Sequence, residues 1–255
     1  MFAPWQLPIL FVTGLVAGFV DSIAGGGGLI TLPVLLSFGG NNAIVFGTNK
    51  VQATCGSASA AWHYARAGAV PPRDCARAFL ITLAFSALGA MMLQVFAVQR
   101  PDLLKKIIPI ALVLVAVYAL LRPQLGFEDR PPRMSRLTFD ILFGALFGFY
   151  DGFFGPGVGT FWTIAFVTCL GFNLTRATAY TKLVNLASNV GALALFLCRH
   201  NVDFPAGLTM GVGQLLGARV GSKMVLKRGA QFIRPIFISV VIAVTAKLIW
   251  DAYAK

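Results

Sequence analysis

Long apolar runs separated by short polar connections make up almost the whole chain. Eight of these runs are at least 18 residues long, namely Leu7–Ala24, Ala43–His63, Ala76–Val98, Leu104–Leu121, Leu137–Phe154, Thr175–Cys198, Pro205–Val225 and Phe232–Tyr253. An α-helix of about 20 apolar residues spans the hydrocarbon core of a bilayer, whereas a transmembrane strand alternates apolar and polar positions. The runs lack that alternation, so the sequence predicts an all-α polytopic membrane protein with about eight transmembrane helices.

Two shorter apolar runs, Leu29–Phe38 and Phe161–Leu170, each follow a glycine-rich segment. Ten helical residues extend about 15 Å, which is half of a hydrocarbon core about 30 Å thick. Each short run is therefore predicted to be a broken or re-entrant half-helix. Backbone that leaves the helix at membrane depth must be buried in protein or line a cavity, because its polar groups cannot pair with lipid.

The two halves of the chain are similar to each other. GFVDSIAGGGGLITLP in the first half corresponds to GFYDGFFGPGVGTFWT in the second. Further along, TNKV aligns with YTKL, so that Lys50 aligns with Lys182. Internal similarity that keeps its order and spacing indicates repeated structural units. The sequence therefore predicts two homologous membrane repeats, residues 1–121 and 137–255, joined by a polar cytoplasmic linker at residues 122–136.

The chain carries 21 lysines and arginines against 9 aspartates and glutamates, which gives a net charge of +12. These basic residues lie mostly in the connections between runs, where the positive-inside rule places them, so nucleic acid is not an expected partner. If the linker is cytoplasmic and each half crosses the membrane an odd number of times, ten connecting basic residues lie inside and five outside. The repeats are therefore predicted to be inverted.

The glycine-rich segments are candidate anion cradles. A half-helix that begins after them would direct its free N–H groups and positive dipole end toward the protein interior. Glycine lets an oxyanion approach such N–H groups and permits positive φ. The segments are Gly25–Gly28 and Gly155–Gly159, although Pro156 removes one N–H from the second. The alternative is that the glycines only allow helices to cross closely.

Few ionisable residues lie inside the apolar runs, and each repeat has an aspartate before the glycines and a lysine in the next long run. Aspartate and lysine could form a charge pair that closes their own repeat, or the aspartates could couple protons. Alternatively, the lysines bind an anion with neighbouring hydroxyl and amide groups. The candidate substrate-binding residues are Gly25, Gly26, Gly27, Gly28, Thr48, Asn49, Lys50, Gly155, Gly157, Gly159, Thr181, Lys182, Asn185 and Asn189, and the charge-pairing or proton-coupling residues are Asp21 and Asp151.

Four motifs carry a family resemblance: GFVDSIAGGGGLITLPVLL and GTNKVQATCGSASAAW, with their second copies GFYDGFFGPGVGTFWT and AYTKLVNLASNVGAL. With them the chain resembles, over essentially its whole length, the TauE/SafE sulfite exporter family, also called the toluenesulfonate uptake permease family. The resemblance implies a multi-pass permease of the bacterial inner membrane for sulfite, sulfonates or related organosulfur anions. The second copy departs from the first, since AYTK replaces GTNK, so the two halves need not be equivalent.

The expected function is a secondary transporter that alternates access to a midplane anion site between the repeats. The expected partners are a small anionic substrate and the lipid bilayer, and neither a cofactor nor a metal is expected. Two alternatives stay open: an anion channel, which needs a continuous pore, and a transporter of another small organic anion. An enzyme is not expected, because Ser57 and His63 lack both a G-x-S-x-G motif and an acidic residue to complete a triad.

Overall fold

The structure, a computed structural model, describes residues 2–38, 42–99 and 128–229, together with Phe232, Pro235 and Ser239. The predicted run Leu104–Leu121 lies outside the described residues. The same holds for the predicted run Phe232–Tyr253 apart from those three single residues.

Helices account for nearly all of the described chain, and no strand occurs in those residues. The α-helices are α1 (Leu7–Ala24), α2 (Gly27–Ser37), α3 (Asn42–Arg66), α4 (Ala76–Gln99), α5 (Arg136–Phe153), α6 (Val158–Cys169), α7 (Leu174–Cys198) and α8 (Phe204–Arg228). Short 3-10 turns at Pro4–Gln6 and Pro72–Cys75 precede α1 and α4. By length and composition, Pro4–Ala24, Pro72–Phe96 and Leu174–Cys198 can each cross a membrane. The predicted all-α polytopic membrane protein is confirmed.

The predicted half-helices end where the sequence places them. The helices α2 and α6 have 11 and 12 residues, so they extend only about 17–18 Å and cannot cross the hydrocarbon core alone. The break before α2 contains two non-helical residues, 25 and 26, whereas the break before α6 contains four, 154–157. Helix lengths otherwise correspond between the halves, with 18, 11, 25 and 24 residues in the first and 18, 12, 25 and 25 in the second. That the halves are inverted repeats stays a prediction.

Helices α4 and α8 each pack mainly against the other half of the chain. Helix α4 lies against α5 and α7, and α8 lies against α1 and α3. Glycines bring α1 and α8 close together: a Cβ on Gly18 would lie 2.8 Å from the Cα of Gln214, and one on Gly217 would lie 2.7 Å from the nitrogen of Phe19. Close packing of small residues holds membrane helices together, because lipid provides no hydrophobic driving force between them.

The described helices therefore form two bundles that do not coincide with the two halves of the sequence. Bundle A contains α1, α2, α3 and α8, and bundle B contains α4, α5, α6 and α7. The main contact between the bundles is that of α3 with α7. These two helices also carry many of the buried polar side chains, namely Thr48, Asn49, Lys50, Gln52 and Ser57 on α3 and Thr178, Thr181, Lys182, Asn185, Ser188 and Asn189 on α7.

Candidate functional site

Two buried ion pairs connect the bundles. Lys50 Nζ lies 2.7 Å from Asp151 Oδ1, and Lys182 Nζ lies 3.1 Å from Asp21 Oδ2. The side chains are 3% and 4% exposed in the first pair and 0% and 16% exposed in the second. Each lysine is the ninth residue of its 25-residue helix, α3 or α7. The two pairs thus occupy corresponding places in the two halves.

The ion pairs correct the prediction that each aspartate pairs with the lysine of its own repeat. Lys50 of the first half binds Asp151 of the second, and Lys182 of the second half binds Asp21 of the first. The physical reason is that the two glycine breaks contact each other. This contact brings the last turn of α1, with Asp21, against α6 and α7 of the opposite half.

The Lys50–Asp151 pair has further hydrogen bonds on both sides. The Lys50 ammonium donates to Asn189 Oδ1 at 3.1 Å. The Ser188 hydroxyl donates to the second carboxylate oxygen of Asp151. Since a buried ion pair is tolerated only when its remaining donors and acceptors are also hydrogen-bonded, these neutral groups stabilise the pair.

Asp21 also caps the half-helix α2. The N–H of Gly27 donates to Asp21 Oδ1 at 3.1 Å, while Oδ2 accepts from Lys182. A carboxylate at a helix N-terminus is favoured by the positive end of the helix dipole. The position at the start of α2 that the sequence assigns to an external anion therefore holds the protein's own carboxylate.

The first glycine break is in backbone contact with the first turn of α6, which contains the last glycine of the segment Gly155–Gly159. Gly25 has φ +78°, and a Cβ there would lie 2.6 Å from the Cα of Gly159. The Thr160 hydroxyl donates to the Ala24 carbonyl oxygen at 3.0 Å, which fixes the two breaks together. Close approach of backbones, the alternative explanation for the glycines, is thus present at Gly25 and Gly159. The anion cradle stays a prediction.

Threonines anchor each half-helix to the next long helix in the same half. In the first half, Asn49 Oδ1 accepts from the Thr31 hydroxyl at 2.6 Å and from Gln52 Nε2 at 2.7 Å. In the second half, the hydroxyls of Thr163 and Thr181 are 3.1 Å apart. Asn49 therefore holds α2 beside Lys50, and Thr181 holds α6 beside Lys182.

Other predicted site residues have different positions. Asn185 lies against Gly159, and its buried Oδ1 has no hydrogen-bond partner in the described chain. The Thr48 hydroxyl accepts from the backbone N–H of Asp203 at 2.9 Å, so it anchors the connection between α7 and α8. The predicted residues that surround the ion pairs and breaks are Gly25, Gly27, Gly28, Gly155, Gly159, Asn185 and Asn189.

Ser188, Thr31 and Thr163 were not among the predicted site residues. Ser188 could have been found from its spacing in the sequence. It lies three residues after Asn185, on the same helical face, and directly before Asn189. Thr31 and Thr163 each lie four residues after a glycine, Gly27 and Gly159, to whose carbonyl oxygen the hydroxyl donates. A hydroxyl that bonds back to its own helix carries a weak sequence signal.

The arrangement is electrically neutral when all four ionisable side chains are charged, with two ammonium and two carboxylate groups. Within the part of the chain that the structure describes, no group of three histidine, cysteine or acidic side chains could hold a metal ion. A lysine separated from its aspartate would present an ammonium with three donors, which suits an oxyanion. The neighbouring Asn185 amide offers an additional polar group at the same place.

Comparisons with known proteins show similarity over almost the whole chain. The sequence model of the family described as sulfite exporter TauE/SafE matches residues 10–248. The probable membrane transporter protein YfcA of Escherichia coli strain K12 is 44% identical over 255 residues, which is 100% of this chain and 94% of that protein. A probable membrane transporter protein of Haemophilus influenzae is 43% identical over 245 residues, 96% of this chain and 95% of that protein. YdhB of Bacillus subtilis, also a probable membrane transporter protein, is 26% identical over 237 residues.

Proposed function

Since the chain belongs to the TauE/SafE sulfite exporter family, we propose that this membrane transporter carries small sulfur-containing oxyanions such as sulfite or organosulfonates. The proposed mechanism is alternating access around a site between the two bundles. A sulfonate or sulfite offers several acceptor oxygens, which an ammonium, amides and hydroxyls can bind without a metal.

One observation carries the proposal: both buried lysines bind aspartates of the opposite bundle. Lys50 on α3 of bundle A meets Asp151 on α5 of bundle B, and Lys182 on α7 of bundle B meets Asp21 on α1 of bundle A. A movement that separates the bundles on one side would therefore release an ammonium. The anion then competes with the aspartate for the lysine, and the aspartate returns when the anion leaves.

The empty protein needs these aspartates for a physical reason. An unpaired ammonium in a low-dielectric interior is strongly unfavourable, so an empty site without a carboxylate would resist closing. With the aspartates in place, the empty transporter can close and reorient. In this mechanism the moving units are bundles A and B and not the two halves of the sequence. The reason is that α4 and α8 would each move together with the helices of the opposite half that they contact.

Charge balance gives the aspartates a second role. A monovalent anion bound at a lysine would add one negative charge to an otherwise neutral site, and a proton on Asp21 or Asp151 would restore neutrality. Uptake into proteoliposomes is expected to increase when the outside is more acidic. A rate independent of the pH gradient would remove this role.

The test of the proposed function is counterflow in proteoliposomes. Vesicles preloaded with sulfite, thiosulfate or sulfoacetate are expected to accelerate uptake of the same labelled anion, whereas vesicles preloaded with sulfate, phosphate or chloride are not. The selected anion should also raise the melting temperature of the purified protein, because a ligand that binds only the folded state stabilises it. Rapid flux without counterflow would indicate a channel. Counterflow with a carboxylate alone would indicate a transporter of another organic anion.

A further inference from the structure

A cavity lies away from the ion pairs, at the end of the molecule where α4, α5 and α7 begin. Its volume is about 800 Å³. It shares no residue with the Lys–Asp pairs or the glycine breaks. The described residues that line it are Arg73, Asp74, Ala76, Arg77, Asp129, Arg130, Pro132, Met134, Ser135, Arg136, Asp140, Leu170, Gly171, Phe172, Arg176 and Tyr180.

The three aspartates in this lining already have partners. Asp140 is buried and lies 3.0 Å from Arg136 Nε and 3.8 Å from Arg77 Nη1. Asp129 lies 3.3 Å from Arg176 Nη1 and accepts from the N–H of the residue that caps α7. The third aspartate, Asp74, accepts from the Tyr180 hydroxyl at 3.2 Å. The acidic side chains therefore do not neutralise all five arginines.

Five arginines against three aspartates leave a surplus of two positive charges in the lining. Arg73 and Arg130 are exposed, and their side chains make no ion pair within the part of the chain that the structure describes. The Arg77 side chain is 54% exposed and reaches Asp140 only at 3.8 Å. The lining includes residues at the N-termini of α4, α5 and α7, whose dipoles add to the positive potential, and the C-cap of α6, Leu170, whose dipole opposes it.

Part of the lining is apolar: Pro132 is exposed and Met134 is half-buried, whereas the rings of Phe172 and Tyr180 are buried beneath arginine side chains. The Arg176 guanidinium lies 4.0 Å from the centre of the Phe172 ring, and that of Arg136 lies 5.1 Å from the centre of the Tyr180 ring. A ligand with an organic body as well as a charged group would fit such a lining. The volume is also that of a pocket for an organic molecule and far exceeds the space that a four-atom anion such as sulfite occupies.

We propose that this cavity is a second anion site, which binds an organic phosphate or sulfonate through Arg73, Arg77 and Arg130. Guanidinium groups bind such oxyanions with two parallel hydrogen bonds, which makes arginine the preferred residue for this chemistry. The organic body would lie against the accessible side chains of Pro132 and Met134. The same chemistry is offered by a soluble organic anion and by the phosphate of a lipid headgroup.

The test is binding of phenyl phosphate and benzenesulfonate to the whole protein in nanodiscs of phosphatidylcholine, measured by isothermal titration calorimetry. The double variant Arg73→Gln/Arg130→Gln is expected to bind at least about tenfold more weakly, because it loses two charged hydrogen-bond donors. The matched control is Lys223→Gln/Lys227→Gln, which removes two exposed charges from α8, outside the cavity. It is expected to bind within about twofold of the wild type.

Unchanged binding by the Arg73/Arg130 variant, or no binding by the wild type, would overturn the proposal. An equal loss in both double variants would also overturn it, since the effect would then follow net charge. Nanodiscs that contain phosphatidylglycerol distinguish the two sources of ligand. If phenyl phosphate binds more weakly in phosphatidylglycerol nanodiscs than in phosphatidylcholine nanodiscs, the lipid headgroup competes for the site and is its occupant. If binding is the same in both, the site binds a soluble anion. The melting temperature without ligand checks that each variant is folded.

Discussion

Lys50→Met is expected to lower the free energy of unfolding by about 3–5 kcal/mol and to abolish transport. The Asp151 carboxylate, whose side chain is 4% exposed, would lose the ammonium 2.7 Å away. Its remaining partner is the Ser188 hydroxyl, which cannot balance a full buried charge. Unfolding of the purified protein by heat and by denaturant measures the change in stability, and counterflow in proteoliposomes measures transport.

A second substitution separates the structural role of Lys50 from its role in transport. Lys50→Met/Asp151→Asn removes both charges, so most of the lost stability is expected to return, because no charge is left unpaired. Transport is expected to remain absent, since the ammonium that would bind the anion is missing. A double variant that transports at the wild-type rate would remove Lys50 from the mechanism.

The matched control is Lys50→Met/Asp21→Asn, which removes two charges that belong to different pairs. It leaves Asp151 and Lys182 both unpaired, so its destabilisation is expected to be at least the sum of the two single effects. The double-mutant cycle of Lys50 with Asp151 should therefore give a large coupling energy, and the cycle of Lys50 with Asp21 should not. The reverse result would show that each lysine pairs within its own half.

Gly25→Ala is the second substitution with a large expected effect. Positive φ at this position costs a residue with a Cβ about 1–2 kcal/mol. The new methyl group would also lie 2.6 Å from the Cα of Gly159, and this contact is with backbone that cannot turn away. Overpacking of this kind costs about 1–3 kcal/mol more. Transport is expected to be lost as well, because the bundles meet at this contact.

Gly68→Ala is the matched control for the glycine break. Gly68 has φ +72°, close to that of Gly25, but a Cβ there would meet nothing within 4 Å. Its substitution should show the backbone effect alone, at about 1–2 kcal/mol. Equal destabilisation of the two variants, measured by the same unfolding experiments, would mean that contact between the breaks adds no stability.

Exchange of α4 and α8 between the halves has a consequence for how the protein moves. Each half of the sequence contributes three of its described α-helices to one bundle and one to the other. A relative movement of the bundles would therefore be transmitted through the connections α3–α4 and α7–α8, residues 67–75 and 199–203, which each run from one bundle to the other.

The sequence determined the elements of this protein. Helix bounds predicted from the apolar runs agree with the structure to within three residues for all eight described helices. The half-helices were also predictable, because ten apolar residues between a glycine-rich break and the polar segment FGGNN leave few alternatives. The sequence also identified four candidate site residues, Asp21, Asp151, Lys50 and Lys182. A charged side chain inside an apolar membrane run is energetically costly, so its presence there indicates a functional site.

Only the tertiary structure showed which aspartate pairs with which lysine. The repeat shows that Asp21 corresponds to Asp151 and Lys50 to Lys182, but pairing within a half and pairing between halves satisfy the same local pattern. The observed partners are 101 and 161 residues apart, and the contact of Gly25 with Gly159 spans a similar distance. Such contacts depend on how the bundles dock. Helix periodicity and the cost of burying charge depend on local sequence, so they predict where each helix lies and which of its residues are candidates. Which helix packs against which depends on the packing of the whole molecule.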